Sequence, residues 1–257
     1  MQNDIQKASL WKRIAAGILD MILLVVLATG FGWAISSAVN YTAHSQAYKT
    51  IAQQYADAYG IEVTMPEEKF YAMTLQEQKA YEQSVKACNE AMNADEKAVQ
   101  SYTLVVNLSL VIVTGAVLLS MLVLEFVLPL LIGNGMTVGK KVFALCLVRN
   151  DGVKMNTVQF FTRVILGKFA VETMIPVYVA VMMLLGQSNG ILLLFALALL
   201  IAQIVMVMVT RNHCLLHDLM AGTVVVDYAS QKIFKSTEDL IEYQKRIAAE
   251  RANRQTY

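Results

Sequence analysis

Four stretches of this chain are apolar for long enough to cross a lipid bilayer: residues 11–38, 104–132, 159–186 and 190–210. A spanning helix needs about 20 mostly apolar residues, because only a helix satisfies its own backbone polar groups in hydrocarbon. The first run exceeds the roughly 7–15 residues of a signal-peptide core, so it reads as a retained helix. Composition agrees. The chain is 56% hydrophobic and 16% charged, against about 45–50% and 25% in soluble domains. The expected fold is therefore an all-α membrane protein, a bundle of four transmembrane helices.

The charges orient these spans. Segment 40–101 holds five Lys against nine Asp or Glu. Lys7, Lys12 and Arg13 precede the first span, and Lys140, Lys141, Arg149 and Lys154 lie between the second and third. Arg211, Lys232, Lys235, Lys245, Arg246, Arg251 and Arg254 follow the fourth. Basic loops stay cytosolic. Both termini and the 133–158 loop are thus expected inside, and the 40–101 segment outside. The expected organisation is 1–39 as N-terminus and first span, 40–102 as an extracytoplasmic helical hairpin, 103–228 as the remaining spans with their cytosolic loop, and 229–257 as a cytosolic tail.

Within the outer segment, Tyr41, Tyr48 and Tyr55 recur at heptad spacing, and Tyr81, Val85, Cys88, Met92 and Val99 form a second stripe. Both predict amphipathic helices, turned at Gly60 and Pro66, whose stripes pack on each other. The tail places Ile233, Phe234, Leu240, Ile241 and Ile247 at the spacing of a modest amphipathic helix. The three cysteines, Cys88, Cys146 and Cys214, form no C-x-x-C and no external disulfide set.

Charges inside the spans carry the functional argument. Arg13 and Asp20 are seven residues apart, so they share a helix face but stand roughly 10 Å apart along the axis. That is too far for a direct pair within one helix. An ionised Asp at the centre of a span costs about 3 kcal/mol, so Asp20 must face protein or water. Glu125 and Glu172 lie at similar depth in the second and third spans, with Lys168 one turn before Glu172. The outer halves are poorer in charge. The pattern predicts a polar chamber open to the cytosol, with Asp20, Glu125 and Glu172 as candidate ligands for an ion or solute. Arg13 and Asp218 are the expected boundary clamp, with His217 and Lys168 in structural or gating roles.

Three motifs then come together: R-x-x-A-x-x-x-D at 13–20, G-x-T-x-G-K at 135–140 closed by D-G at 151–152, and H-D-x-x-A-G-T at 217–223. In this order they resemble the RDD family of bacterial membrane proteins, named for one Arg and two Asp. Arg13, Asp20 and Asp218 match those three. Gly135, Thr137, Gly139 and Lys140 match the loop, which also suits an anionic headgroup layer. The resemblance implies a multi-pass protein of the bacterial plasma membrane, and transport, including sodium–proton exchange. The 40–101 insertion and the tail depart from it.

The G-x-T-x-G-K run is not a P-loop, since its spacing is wrong and no strand–loop–helix unit surrounds it. His213 and His217 share a helical face, yet no further histidine but His44 is available, so no metal and no cofactor is expected. No enzyme activity and no nucleic-acid partner are expected. The expected partners are the bilayer with its anionic lipid, a small cation such as a proton or Na⁺, and a second copy or another protein. The expected function is transport or binding of a small ion or solute; the alternative is a non-transporting scaffold.

Overall fold

A computed structural model describes residues 5–186, 190–210 and 212–255. Arg211 and the side chain of Arg254 lie outside what it describes. Four helices are long and apolar enough to cross a membrane: Leu10–Ala38, Glu96–Ile132, Thr157–Leu184 and Gly190–Val209. The first is α1, uninterrupted over Leu10–Ala38. Trp11 and Trp33 on it are 79% and 76% exposed. Twenty-two residues of helix separate them by roughly 33 Å, the spacing of the two interfacial aromatic belts of a bilayer.

The chain divides into two compact units, residues 32–115 and residues 1–31 with 116–257. The first contains α2 (Tyr41–Ala58), α3 (Glu67–Tyr71), α4 (Leu75–Ala94) and the start of α5 (Glu96–Met121). Thr74 and Glu77 close a reciprocal capping box that starts α4. The tyrosine stripe of α2 does not simply meet the stripe of α4. Tyr55 donates to Asp95 Oδ2 at 3.0 Å, the Tyr48 and Tyr102 rings lie 5.4 Å apart, and Tyr41 Oη is 2.9 Å from Ser109 Oγ. The three residues it reaches are seven apart too, so one heptad row reads another.

In the second unit, α5 widens into a π-helical turn, Leu122–Val127, before α6 (Leu128–Ile132). The third span starts as α8 (Thr157–Phe161), becomes π-helical over Thr162–Thr173, and ends as α9 (Met174–Leu184). Phe126 stacks on Phe160 at 5.5 Å between these two spans. π-Helical segments are rare and concentrate at functional positions. Here they carry Glu125, Arg163, Lys168 and Glu172. Then follow α10 (Gly190–Val209), α11 (Leu216–Ala221) and α12 (Thr237–Gln255).

The all-α expectation needs a correction. Strands β1 (Leu145–Arg149) and β2 (Thr223–Asp227) form an antiparallel pair, with Leu145 opposite Asp227 and Arg149 opposite Thr223. Both faces are covered. Leu145, Leu147 and Val225 pack with Ala16, Phe160 and Val164, while Cys146, Val148, Val224 and Val226 pack with Met136 and Cys214. Burial on both faces makes each strand a continuous apolar run rather than an alternating one. Such a run is easily read as membrane-surface chain.

The loop before β1 is pinned by close approach. Helix α7 (Val138–Val142) is capped by Thr137, whose hydroxyl accepts from the Lys140 N–H. A Cβ on Gly139 would stand 2.2 Å from the Ala16 carbonyl oxygen, so only glycine lets α7 reach α1. Overpacking of this kind costs about 1–3 kcal/mol. Gly139→Ala is expected to lower the melting temperature of the detergent-solubilised protein, whereas Gly30→Ala, with nothing within 4 Å of its added Cβ, leaves it unchanged or slightly raised. Thermal unfolding followed by fluorescence checks both.

Candidate functional site: a charged cavity at the ends of three spans

The charged side chains of the second unit meet around a cavity of about 580 Å³. Its wall includes Asp20 from α1, Glu125 from the second span, Arg163, Lys168 and Glu172 from the third, and His217 and Asp218 from α11.

The hub is Arg163, which is 4% exposed. One nitrogen, Nη1, donates to Asp218 Oδ1 and, at 2.9 Å, to Thr223 Oγ1. The other, Nη2, lies 2.9 Å from His217 Nε2. A guanidinium only donates, so Nε2 must be the accepting nitrogen of His217. The ring proton then sits on Nδ1 and is donated to Glu172 Oε2 at 2.6 Å. Glu172 Oε1 also accepts the His217 backbone N–H at 2.9 Å. Burial and the Arg163 charge both push the His217 pKa down, in keeping with a neutral ring. Burial alone would raise the Asp218 carboxyl, but Arg163 holds it well below the usual carboxylate range.

Sequence reasoning placed Arg13 as the partner of Asp218. The structure puts Arg13 Nη2 at 3.5 Å from Asp218 Oδ2, with Nη1 donating to the Asn212 carbonyl at 3.0 Å. The close partner is Arg163, a residue to which the sequence analysis assigns no role. A buried Arg needs a carboxylate, and that requirement was the available signal. Close approach of α11 to the third span again depends on glycine. A Cβ on Gly167 would meet His217 Cβ at 2.7 Å.

Lys168 and Glu172, one turn apart on the third span, do not pair with each other. Lys168 donates to Glu125 across two spans, while Glu172 is taken by His217. Glu125 is 7% exposed at its side chain and Lys168 30%. Asp20 faces neither partner. Its Oδ2 accepts from the Thr137 hydroxyl at 2.5 Å and its Oδ1 from the Gly139 N–H at 2.8 Å. A carboxylate held by a hydroxyl and a backbone amide is a strong charge-assisted clamp between α1 and the loop. Lys140, beside it, has Thr137 Oγ1, at 3.4 Å, as its one side-chain partner among the described residues. Thus Asp20, Glu125 and Glu172 line one cavity, but each already has a donor. Among the described residues, no three His, Cys, Asp or Glu side chains group as a metal site.

Four apolar spans with paired charges buried on three of them define a multi-pass membrane protein. The sequence model of the RDD family matches residues 7–222, and the chain belongs to that family. No curated protein and no solved structure gives a significant match. Arg13, Ala16 and Asp20 thereby acquire distinct tasks. Arg13 reaches Asp218 and the chain before α11, Ala16 admits Gly139, and Asp20 caps the loop.

Breaking one side of a buried ion pair costs about 3–5 kcal/mol, because the other charge is left uncompensated. Arg163→Met and Asp218→Asn are each expected to destabilise by that order. The double variant should fall short of the sum by more than about 1 kcal/mol. Arg13→Met should cost less than either. Unfolding in detergent gives the cycle; strictly additive losses would show that the pair is not coupled.

Proposed function

We propose that this protein binds a small charged solute in the cavity and moves it across the bacterial plasma membrane, without chemical change to it. Protons or Na⁺ are the coupling ions. The observation that carries the reading is the unequal hold on the cavity's acids. Asp218 and Glu172 are locked with Arg163 and His217, and Asp20 caps the loop. Glu125 has Lys168 as its one side-chain hydrogen-bond donor among the described residues, and that lysine is partly exposed. A cation or proton that displaces Lys168 from Glu125 changes the charge of the cavity while the rest of the network stays intact. A carboxylate inside a span is the usual place for such a relay.

Charge distribution sets the proposed orientation. The acidic segment 40–101 forms an extracytoplasmic helical hairpin, and both termini and the 133–158 loop face the cytosol. A cysteine introduced as Glu82→Cys, at an exposed position of α4, should react with an impermeant thiol reagent added to intact cells. Lys235→Cys should react only after permeabilisation. The reverse pattern would invert the topology. Native Cys88 is too buried to serve, at 5% exposed.

A second reading has its own support. Every acid of the cavity already has a donor, which is the pattern of a network that fixes helix packing in a non-transporting scaffold. Proteoliposomes carrying an internal pH dye separate the two. The transport reading expects a Na⁺- or Li⁺-dependent pH change, reduced at least tenfold by Glu125→Gln. No ion-dependent change from the folded parent protein leaves the scaffold.

A further inference from the structure

The cavity holds one charge that the network does not use. Lys140 stands on α7 and lines the cavity. Among the described residues its ammonium makes no ion pair, and its one side-chain hydrogen bond is the 3.4 Å contact to Thr137. The charged groups facing it are Asp20 from α1, Glu125 from the second span, and Arg163 and Lys168 from the third. Both acids have other donors, and both bases repel it. Burial pushes Lys140 down to about 8, and Glu125 offsets this only in part. An ammonium carries three donors, and half-buried Lys140 spends only one of them on a side chain, at 3.4 Å.

Part of the same cavity wall is apolar. Leu10, Ile14, Ile18, Met21 and Leu24 of α1 line the cavity. Ile18 and Met21 are 56% and 67% exposed. They stand on a helix long and apolar enough to span a membrane, where exposed side chains meet acyl chains. A volume of about 580 Å³ falls within the roughly 300–1,000 Å³ of small-molecule sites. The combination is one cation without an ion pair among the described residues, in a cavity that α1 lines with exposed apolar side chains.

We infer that the cavity binds an anionic acyl amphiphile, its carboxylate or phosphate oxygens on Lys140 and its chain along Ile14, Ile18 and Met21 of α1. The head supplies the acceptors that Lys140 lacks, and the chain covers side chains that would otherwise need lipid or water. The inference rests on the transport reading only in treating this amphiphile as the solute moved; binding stands on its own. Free fatty acid and anionic phospholipid share this chemistry.

The test uses the full chain in a non-ionic detergent, with a fluorescent fatty acid displaced by oleate, oleyl alcohol, dioleoyl phosphatidylglycerol or dioleoyl phosphatidylcholine. At least one anionic competitor is expected to bind tenfold or more tighter than its neutral counterpart. Preference for oleate assigns a free fatty acid, and preference for phosphatidylglycerol assigns a lipid headgroup. Lys140→Gln should erase the preference and Lys140→Arg should keep most of it. Ile18→Trp should weaken charged and neutral chains alike, at least fivefold, with an unchanged melting temperature. If Lys140→Gln does not fold, the arginine and tryptophan variants decide. Equal binding of oleate and oleyl alcohol together with equal binding of the two phospholipids overturns the site, as does an undiminished preference in folded Lys140→Gln. Ion flux in proteoliposomes is read separately. Binding without flux removes transport and keeps the site, whereas flux without a head preference does the reverse.

Discussion

Charge removed from water has to find a partner, and in an apolar bundle the partner has to come from another helix. The Arg163–Asp218 pair is where this structure meets that demand. Arg163 lies inside the third span and Asp218 on a short helix after the fourth, so neither charge is satisfied until the chain has returned. The same guanidinium sets the tautomer of His217, which in turn holds Glu172. One pair thus draws together the third span, α11 and the start of β2 through Thr223. A pair this deep contributes less net stability than its contacts imply, because desolvation opposes it. Its larger effect is on uniqueness. Any other arrangement of these segments leaves a bare ion.

Close backbone approach does the complementary work. Asp20 reaches the Gly139 amide only because Ala16 and Gly139 let α1 and α7 nearly touch. His217 reaches Arg163 and Glu172 only because Gly167 admits α11. Small residues matter in such proteins because hydrocarbon gives no hydrophobic drive for helices to associate, so contact area and hydrogen bonds must supply it. The two-stranded sheet between these contacts buries both faces and carries no side chain into the charge network except Thr223.

The result is a cavity whose charged groups differ in mobility. Asp218, Glu172 and Asp20 are each held by at least two donors, one of them a backbone amide in every case. Glu125 and Lys168 hold one another, and Lys140 holds almost nothing. Function in a membrane protein of this kind belongs to the groups that can change partner, because those already locked cannot respond to a solute without unfolding the site. That division separates the motif-bearing acids of α1 and α11, held by several donors, from Glu125 and Lys140, on which the proposed binding rests.

Four spans, a tail helix and the family motifs were legible in the sequence, because each rests on local quantities: run length, 3.6-residue periodicity and fixed spacing. The tail helix starts only at Thr237, so Ile233 and Phe234 fall outside it and Phe234 bridges to Val153 instead. The presence of Asp20, Glu125 and Glu172 in one cavity was foreseeable on energetic grounds, since an unpaired acid in lipid is too costly. Which base each acid takes was not. Helix spacing set Lys168 one turn from Glu172, and boundary position set Arg13 against Asp218. The second pair is present at 3.5 Å, but π-helical turns and the return of α11 gave Lys168 to Glu125 and made Arg163 the closer partner of Asp218. Nor was the sheet legible, because β1 and β2 pair across 74 to 82 positions of sequence, from Arg149 with Thr223 to Leu145 with Asp227, and both read as plain apolar chain. The sequence alone determined that this chain has spans fit for a membrane and that the acids within them must find donors. Only the tertiary structure decided the partners, because pairing depends on which backbones approach closely enough, and that is settled by contacts distant in the chain.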